Sequence, residues 1–338
     1  MREIVITRYG GPEVMEDRER ATPEPGPGEV RIRVKAAGVN FADILARMGL
    51  YPDAPPPPMV VGYEVSGYVD AVGPGPTRHE IGRRVLAVSR FGGYADHVIV
   101  PADFVWPVPA NLSHNEAAAI PIAYLTAVLA LSRMAGLKAG ETILIHSAGG
   151  GVGIAAAQLA RLRRSIVIGT ASPAKHGALR AMGIDHVLDS GSGDLETEVA
   201  RLTNGRGVDV VLDARGGEQL AQSYRMLARL GRLVVYGSQA LVVGRVRDEE
   251  RVQSFLQQRP LFDPLDLMNA NKGVFGLNLA HLWGERRFAA ASMEALLTDF
   301  AAGRLKAVVA KAFPLARAGE AHAFLQDREN IGKVVLTV

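Results

Sequence analysis

An apolar strand that ends in a cluster of glycines, followed at once by a helical run, constrains this chain more than any other feature. The stretch reads ILIHSAGGGVGIAAAQLAR, with small residues spaced as Ser147-x-x-Gly150-x-x-Gly153. Glycines let the backbone turn tightly and approach a ligand, and the N-terminus of the helix offers free N–H groups to an anion. The spacing is not a regular GxGxxG, and a glycine cluster that serves only helix packing is the alternative. We interpret the segment as a phosphate-binding turn.

The sequence around this turn alternates apolar segments with helical runs. SIVIGT, GVDVVLDA and GRLVVYGS are apolar throughout, as strands are when both faces of a sheet are covered. This alternation predicts a doubly wound parallel sheet with right-handed crossovers, a Rossmann domain. At the ends of two of its strands, we expect His146 to be packed and hydrogen-bonded. Asp213 is expected either to cap the next helix or to contact a bound adenosine.

The flanking stretches have a different rhythm. EVRIRVKAAGV and VSGYVDAVG alternate between Gly/Pro-rich turns and predict an all-β, barrel-like unit. The C-terminal segment KVVLTV has no partner in a complete Rossmann sheet, so we expect it to return to the first domain. The predicted domains are therefore 1–121 (β-barrel), 122–270 (Rossmann) and 271–338 (last Rossmann strand and the return). The charged stretch Leu241–Asn271 is expected to form a helix and a loop.

Composition excludes several classes of protein. The chain has 338 residues, enough for about two domains, and it has no cysteine, which excludes disulfides and thiolate metal sites. Lys and Arg number 38 against 35 Asp and Glu, too even a balance to suggest nucleic acid as a partner. The uncharged run Ala117–Leu131, interrupted by Pro121, is too short to span a bilayer. We therefore expect a cytoplasmic protein that binds neither nucleic acid nor membrane.

The end of the strand SIVIGT decides which dinucleotide is expected. Sites for NAD usually place a carboxylate there, where it holds the ribose 2′-OH. Here Thr170, Ser172 and Lys175 supply two hydroxyls and an ammonium, and no carboxylate is present to repel a 2′-phosphate. The sequence therefore favours NADPH, unless Lys175 is only a solvated helix lysine.

Several of these motifs resemble a known family along essentially the whole chain. HSAGGGVGIAAAQLA resembles the phosphate turn of the zinc-independent medium-chain dehydrogenase/reductases, the quinone oxidoreductase and zeta-crystallin type. AAGVNFADILARMGLYP and AYLTAVLAL resemble other segments of that family, and GTASPAKH and FGLNL resemble its vesicle-amine-transport-protein branch. The resemblance implies a GroES-like β-barrel domain beside the Rossmann domain, with the active site in the cleft between them. It also implies a homodimer in which KGVFGLNL pairs with its twin.

The resemblance further implies roles for individual residues. Asn40 should lie beside the nicotinamide ribose or the substrate carbonyl, although a turn or cap role is the alternative. Contacts with the cofactor are implied at Thr126, Gly150, Gly151, Val152, Gly237, Ser238 and Asn278. Where the family tends to have a tyrosine near the adenine, this chain offers only Ser190 as a cofactor contact. For Thr126 the alternative is helix packing, and for Asn278 it is a turn or cap role.

A comparison with the zinc alcohol dehydrogenases of the same superfamily bears on the mechanism. Asn40 stands where those enzymes have a cysteine ligand, and Tyr63 replaces the metal histidine in Gly62-Tyr63-Glu64. We expect no metal, and without a Lewis acid the reduction of an electron-poor acceptor is favoured over alcohol oxidation. The implied function is NADPH-dependent hydride transfer to a quinone or another conjugated carbonyl compound. Tyr63 either hydrogen-bonds that carbonyl or is simply a packed tyrosine.

Two alternatives remain open at this point. The first is an enoyl or enone reductase of a thioester or natural-product intermediate, which would use the same hydride geometry. The second is a non-catalytic NADPH-binding protein, since a fold does not by itself fix a reaction.

Overall fold

The structure is a computed structural model that describes every residue from Met1 to Val338, and it divides into two compact units. Unit 1 comprises Met1–Leu125, Gly244–Arg247 and Leu279–Val338, whereas unit 2 comprises Thr126–Val243 and Asp248–Asn278. The chain therefore begins and ends in unit 1. Each unit has its own main sheet and its own buried apolar core.

The strands and helices follow one another along the chain in a β-rich, then α/β, then mixed order. The strands are β1 (Arg2–Ile6), β2 (Met15–Glu19), β3 (Glu29–Val39), β4 (Glu64–Val72), β5 (Arg84–Val88), β6 (His97–Pro101), β7 (Val105–Pro107), β8 (Thr142–Ile145), β9 (Ile166–Ala171), β10 (His186–Asp189), β11 (Val208–Asp213), β12 (Leu227–Val235), β13 (Gly273–Gly276), β14 (Val309–Pro314) and β15 (Lys333–Thr337). The helices are α1 (Phe41–Arg47), α2 (His114–Ala118), α3 (Pro121–Val128), α4 (Gly151–Leu162), α5 (His176–Ala181), α6 (Leu195–Leu202), α7 (Gln219–Arg225), α8 (Glu249–Gln258), α9 (Pro264–Ala270), α10 (Arg286–Ala301) and α11 (Ala318–Gln326).

Unit 2 is built on a parallel sheet of six strands in the order β10-β9-β8-β11-β12-β13. This is the Rossmann order, in which the chain moves outward on one side of the first strand and then on the other. β11 is buried along its whole length, as the apolar run VDVVLD requires. The order reverses between β8 and β11, and ligands of such sheets bind at the carboxyl ends of the strands beside this reversal.

Unit 1 contains a seven-stranded sheet in the order β14-β15-β3-β4-β5-β7, with β6 also paired to β3. β3 alternates buried and exposed residues at first, and its last four residues are all buried. β15 lies antiparallel to this end of β3, with Val334 opposite Val39, so the C-terminal strand completes the sheet that the N-terminal strands begin. A separate hairpin pairs β1 with β2.

One segment differs in detail from the sequence expectations, and another agrees with them. The charged stretch Leu241–Asn271 forms two helices, α8 and α9, instead of a helix and a loop. Each begins at an aspartate whose side chain accepts a backbone N–H of the first turn, Asp248 in α8 and Asp263 in α9. The uncharged run Ala117–Leu131 is broken where Pro121 begins α3. No helix in the chain is both long enough and apolar enough to span a membrane.

Candidate functional site

The glycine turn connects β8 to α4 in unit 2. Gly150 caps α4 in an extended conformation, and Ser147 adopts the left-handed conformation with φ 55°. A Cβ on Gly153 would lie 2.5 Å from the Ser147 carbonyl oxygen and 2.7 Å from the Ala148 Cα, both backbone atoms that cannot move aside easily. The first turn of α4 therefore packs directly on the preceding loop, and only glycine fits there. This leaves the free N–H groups of a twelve-residue helix facing the loop, which suits a bound diphosphate.

A buried polar network lies beneath this turn. His146 is fully buried, its Nδ1 lies 3.1 Å from Thr170 Oγ1, and its Nε2 lies 3.2 Å from a terminal nitrogen of Arg215. Asp213 accepts the Arg215 and Gly216 N–H groups through Oδ1 and the Ser223 hydroxyl through Oδ2. His146 is thus a packed, hydrogen-bonded histidine, and Asp213 anchors the turn that leads to α7.

The Thr170 expectation requires correction. Its side chain is fully buried and its hydroxyl is engaged with His146, so it does not offer an oxygen to a 2′-phosphate. The sequence indicated a hydroxyl at the strand end but not which face of β9 it occupies. Ser172 lies just beyond the end of β9, where the covering layers of the sheet stop, and it is exposed.

Ser172 and Ser190 lie at the ends of neighbouring strands. Ser172 follows β9 directly, and the Ser190 N–H donates to the Ala171 carbonyl at 3.0 Å, so both exposed hydroxyls belong to the same sheet edge. Lys175, partly exposed, ends the short helical turn that follows Ser172. Asp189 also stands at this edge, but its Oδ1 accepts the Gly191 N–H at 2.9 Å. The expectations that Ser172 and Lys175 hold a 2′-phosphate and that Ser190 contacts the cofactor stay predictions.

The remaining expected cofactor residues of unit 2 lie at the ends of later elements. Gly237 and Ser238 follow β12, and a Cβ on Gly237 would lie 2.6 Å from the Ala214 carbonyl oxygen. Asn278 is exposed and lies just beyond β13, whereas Thr126 is nearly buried within α3. Their expected contacts with the cofactor remain predictions.

Two residues at this sheet edge were not found from the sequence. The Gln239 side-chain oxygen accepts the Ser147 hydroxyl at 2.8 Å, which ties the loop after β12 to the glycine turn. Arg215 lies two residues beyond β11. The rule that ligands bind at the carboxyl ends of the strands could have indicated both, but nothing in the local sequence pattern distinguishes them.

In unit 1, Asn40 is held between two charged groups. Its Nδ2 donates to Glu64 Oε1 at 2.9 Å, and its Oδ1 accepts from the Lys333 ammonium at 2.5 Å. Lys333 also lies 2.6 Å from Glu64 Oε1, and both residues are buried. The second oxygen of Glu64 accepts the Ile122 N–H at 2.8 Å at the start of α3. Asn40 is therefore a member of a buried polar cluster as well as the N-cap of α1.

These positions do not fit a zinc ion. The Lys333 ammonium already occupies the cation position against Asn40 and Glu64, and an amide and a phenol replace the usual thiolate and imidazole donors. No group of three or more histidine, aspartate or glutamate side chains in the chain is arranged to hold a metal.

A second buried cluster is centred on Asp43. Its Oδ2 accepts the Asn40 N–H at 2.7 Å and the Tyr94 hydroxyl at 3.0 Å, and its Oδ1 accepts the Gly62 N–H at 3.0 Å. The Tyr94 oxygen lies 3.0 Å from His322 Nε2. Burial raises the pKa of Asp43 to about 7, and burial lowers the pKa of His322 well below its ordinary value. Asp43 thus fixes both the start of α1 and the loop that carries Tyr63.

Tyr63 has a hydroxyl that no other group satisfies. The residue is 6% exposed, and its buried hydroxyl has no hydrogen-bond partner. Its ring packs against both Tyr51 and Phe91, with centroid distances of 6.2 and 5.2 Å. Burial, and then the neighbouring Asp43, raise the pKa of Tyr63, so the phenol keeps its proton. It is a hydrogen-bond donor in an aromatic environment.

Comparison with known proteins identifies the family. Residues 26–110 match the alcohol dehydrogenase GroES-like domain, and residues 182–336 match the model of the zinc-binding dehydrogenases. The human synaptic vesicle membrane protein VAT-1 homolog is 35% identical over 339 aligned residues, which cover 99% of this chain and 86% of the human protein. The chain belongs to the medium-chain dehydrogenase/reductase family. The predicted family and the predicted fold class, a GroES-like domain with a Rossmann domain, are thereby confirmed.

Solved structures extend the comparison. The quinone oxidoreductase of Pseudomonas syringae is 30% identical, with a TM-score of 0.88 over 100% of this chain and 99% of its own. A mycobacterial protein complexed with NADPH is 32% identical, with a TM-score of 0.88 over 100% of both chains. The CurK enoyl reductase, 29% identical over 99% of this chain and 98% of its own, has a TM-score of 0.85. The chain is therefore an oxidoreductase of this family, whose members use a nicotinamide cofactor.

Proposed function

We propose that this protein is an NADPH-dependent reductase that transfers hydride to a quinone or another conjugated carbonyl compound without zinc. The observation that carries the proposal is the glycine turn at the first strand of a Rossmann sheet, with no carboxylate on the exposed end of β9. In this proposal the turn of Gly150, Gly151 and Val152 cradles the diphosphate. The Gly151 and Val152 N–H groups donate to it, since the Gly150 N–H already donates to the Ser147 carbonyl at 2.9 Å. The cofactor, when bound, supplies the hydride.

The 2′-phosphate of NADPH is assigned to Ser172, Lys175 and Ser190. Two exposed hydroxyls at adjoining strand ends, with an ammonium one short turn away, are suitable donors for a dianion. A ribose 2′-OH would instead favour a carboxylate at the end of β9, where none stands; the carboxylate of Asp189, at the end of the neighbouring β10, accepts the Gly191 N–H through Oδ1. This donor set supports NADPH over NADH.

The carbonyl of the acceptor is assigned to Tyr63. Its buried hydroxyl has no hydrogen-bond partner, and the sequence had already singled out this residue. Leaving a buried donor without an acceptor costs free energy, and a carbonyl oxygen of the substrate would supply the missing acceptor. The rings of Tyr51 and Phe91 beside it make the surroundings aromatic, which suits a planar acceptor such as a quinone. Because the phenol holds its proton firmly, it polarises the carbonyl as a donor, and the proton that completes a hydroquinone comes from water.

Asn40 is proposed as a positioning residue at the same site. Its side-chain amide is already engaged with Glu64 and Lys333, so it has little capacity left for a substrate. Its amide holds the ion pair of Lys333 and Glu64, whose charges neutralise each other at the first residues of β15 and β4. This role fits electrophile reduction, which needs no bound metal cation.

A direct assay separates quinone reduction from enoyl reduction. NADPH oxidation is followed with 9,10-phenanthrenequinone and with crotonyl-CoA as acceptors. The proposal expects turnover with the quinone and little with the thioester. The reverse preference would support enoyl reduction, which the similarity to the CurK enoyl reductase favours. Tight NADPH binding with turnover of neither acceptor would support a non-catalytic protein.

The cofactor preference is tested by calorimetry with NADPH and NADH. Lys175→Ala should weaken NADPH binding about tenfold, because a charge-assisted contact with the 2′-phosphate is lost, and should leave NADH binding unchanged. Lys138→Ala, which removes an exposed lysine before β8, is the matched control. Equal affinity of the wild type for both dinucleotides would contradict the assignment.

We also propose a homodimer formed through β13. This strand pairs only with β12, so its other edge is unpaired. Phe275 on β13 and Leu265 and Met268 on the preceding helix α9 expose 37%, 64% and 64% of their surfaces. An unpaired edge beside exposed apolar side chains is suited to pairing with a second copy around a two-fold axis.

A further inference from the structure

Arg215 is an arginine at the carboxyl edge of the Rossmann sheet that no part of the proposed function uses. It lies two residues beyond β11, and β11 is the neighbour of β8, from which the glycine turn begins. The strand order reverses between these two strands, and dinucleotides bind at such reversals. Arg215 therefore lies at the strand ends where the sheet is expected to meet its ligand.

The backbone and side chain of Arg215 are fixed by the network beneath the turn. Its N–H donates to Asp213 Oδ1 at 2.7 Å, and one terminal nitrogen donates to His146 Nε2 at 3.2 Å. A guanidinium can only donate, so its contact with the ring requires His146 Nε2 as the acceptor; Nε2 also lies 3.1 Å from the oxygen of Ser223, whose hydroxyl donates to Asp213. The ring is thus neutral, in agreement with burial lowering the pKa of His146 to about 3.

The charge of Arg215 has no direct counter-ion in this network. Both oxygens of Asp213 accept other donors, the Arg215 and Gly216 N–H groups on one side and the Ser223 hydroxyl on the other. Arg215 forms no ion pair with any carboxylate, and its buried Nε has no hydrogen-bond partner. Part of the residue nevertheless reaches the surface of unit 2. A held guanidinium with an unsatisfied donor is an arrangement that an anionic oxygen would complete.

We propose that Arg215 binds a phosphate group in the adenosine half of the dinucleotide. The proposal rests on the proposed binding of NADPH by unit 2. Arginine presents several N–H groups in one plane, a geometry that matches phosphate oxygens better than an ammonium does. The ligand chemistry is an adenosine phosphate, and the phosphate concerned is either the 2′-phosphate or the diphosphate.

The test measures binding of adenosine, 5′-ADP and 2′,5′-ADP to wild type and Arg215→Gln by calorimetry. Loss of the contact should raise the Kd of at least one nucleotide about 10- to 100-fold and leave adenosine unaffected. A loss confined to 2′,5′-ADP assigns the 2′-phosphate, and a loss on 5′-ADP assigns the diphosphate. Unchanged Kd values for both nucleotides, or an equal loss on adenosine, would overturn the proposal.

Two further variants protect this test against unfolding and general charge effects. Arg215→Lys keeps the charge but not the planar set of donors, and should give Kd values between those of wild type and Arg215→Gln; wild-type values would count against the proposal. Arg229→Gln makes the same charge change at an exposed position in the amino-terminal half of β12 and should bind as wild type does. If the wild type bound neither nucleotide nor NADPH, the proposed function would fail together with this inference, whereas wild-type binding with unchanged variants defeats this inference alone.

Discussion

Asn40 and Tyr63 show how similar sequence arguments lead to different residue roles. Both occupy positions where zinc enzymes of the superfamily carry metal ligands, so the sequence suggested a contact with the substrate for each of them. In the structure Asn40 gives its amide to Glu64 and Lys333, whereas the Tyr63 hydroxyl is buried with no partner. Which polar atom remains available depends on neighbours that are distant along the chain, and Lys333 lies 293 residues from Asn40.

Replacing Tyr63 by Phe tests the proposed contact with the acceptor carbonyl. Because one neutral hydrogen bond is lost, kcat/KM for the quinone should fall about 5- to 10-fold, with NADPH affinity unchanged. The variant should fold as stably as wild type or better, since an unsatisfied buried hydroxyl is removed. Tyr9→Phe, at a residue 49% exposed, serves as control. An unchanged kcat/KM in Tyr63→Phe would show that the Tyr63 hydroxyl does not contact the acceptor and that the residue only packs.

Asp43 should give the protein a pH-dependent stability. Its pKa is raised to about 7 in the folded state, chiefly by burial, from an ordinary value of 3.8. The folded state therefore prefers the protonated carboxyl, and the associated stability is complete below pH 4 and is lost as the pH rises to 7. At about 1.4 kcal/mol per pKa unit, the loss is roughly 4 kcal/mol at most.

Chemical unfolding of wild type and Asp43→Asn between pH 4 and pH 8 measures this contribution. Asparagine does not titrate, so the stability advantage of wild type over the variant should shrink between pH 4 and pH 7. Asp194→Asn, at an exposed aspartate, should give a nearly constant difference over the same range. A constant difference for Asp43→Asn as well would mean that Asp43 is ionised throughout.

At the scale of elements, the β8–turn–α4 segment was predictable and the charged region after β12 was less so. The apolar strand, the glycines and the helical run could be predicted from the local sequence, because the structure of each depends on residues that are close along the chain. The stretch Leu241–Asn271 gave one helix in prediction and two in the structure. The helix that the prediction missed, α9, has only seven residues, too few for an apolar periodicity to stand out, and its cap Asp263 is one aspartate among several nearby.

Replacing Gly153 by Ala should push the first turn of α4 away from the glycine turn on which it packs. The added Cβ would lie within 2.7 Å of two backbone atoms, so the free energy of unfolding should fall by about 1–3 kcal/mol and NADPH binding should weaken. The matched control is Gly177→Ala in α5, where an added Cβ meets nothing within 4 Å. That variant should be neutral or more stable by about 0.4–1 kcal/mol. Normal NADPH affinity in Gly153→Ala would argue against a diphosphate at this turn.

At the scale of the whole molecule, the two units are assembled from segments far apart in sequence. β15 lies next to the edge strand β14 of its sheet. Its other neighbour is β3, which lies about 300 residues earlier in the chain. The lack of a partner for this strand in a Rossmann sheet was readable from the sequence. Its register against β3, which brings Lys333 to Asn40, was not, because register depends on which side chains pack across the two strands.

The proposed dimer can be tested with Phe275→Glu. A charge on the exposed side chain of the edge strand should convert dimer to monomer in sedimentation or light scattering at micromolar concentration, with NADPH binding retained. Ile81→Glu, at a residue 68% exposed in unit 1, should leave the assembly unchanged. A monomeric wild type at the same concentration would count against the dimer, whatever the variant does.

The sequence by itself determined the kind of scaffold: a glycine turn at a helix N-terminus, alternating apolar strands and helices, and the replacement of metal-binding residues. The first two follow from local backbone preference and periodicity, and the third from the resemblance to the zinc alcohol dehydrogenases. Tertiary structure alone decided that Thr170 is buried, that Asn40 is engaged by Lys333 and Glu64, and that Tyr63 and Arg215 retain unsatisfied donors. Hydrogen-bond satisfaction belongs to groups that only folding brings together, so no reading along one chain reveals which polar atoms remain free for a ligand.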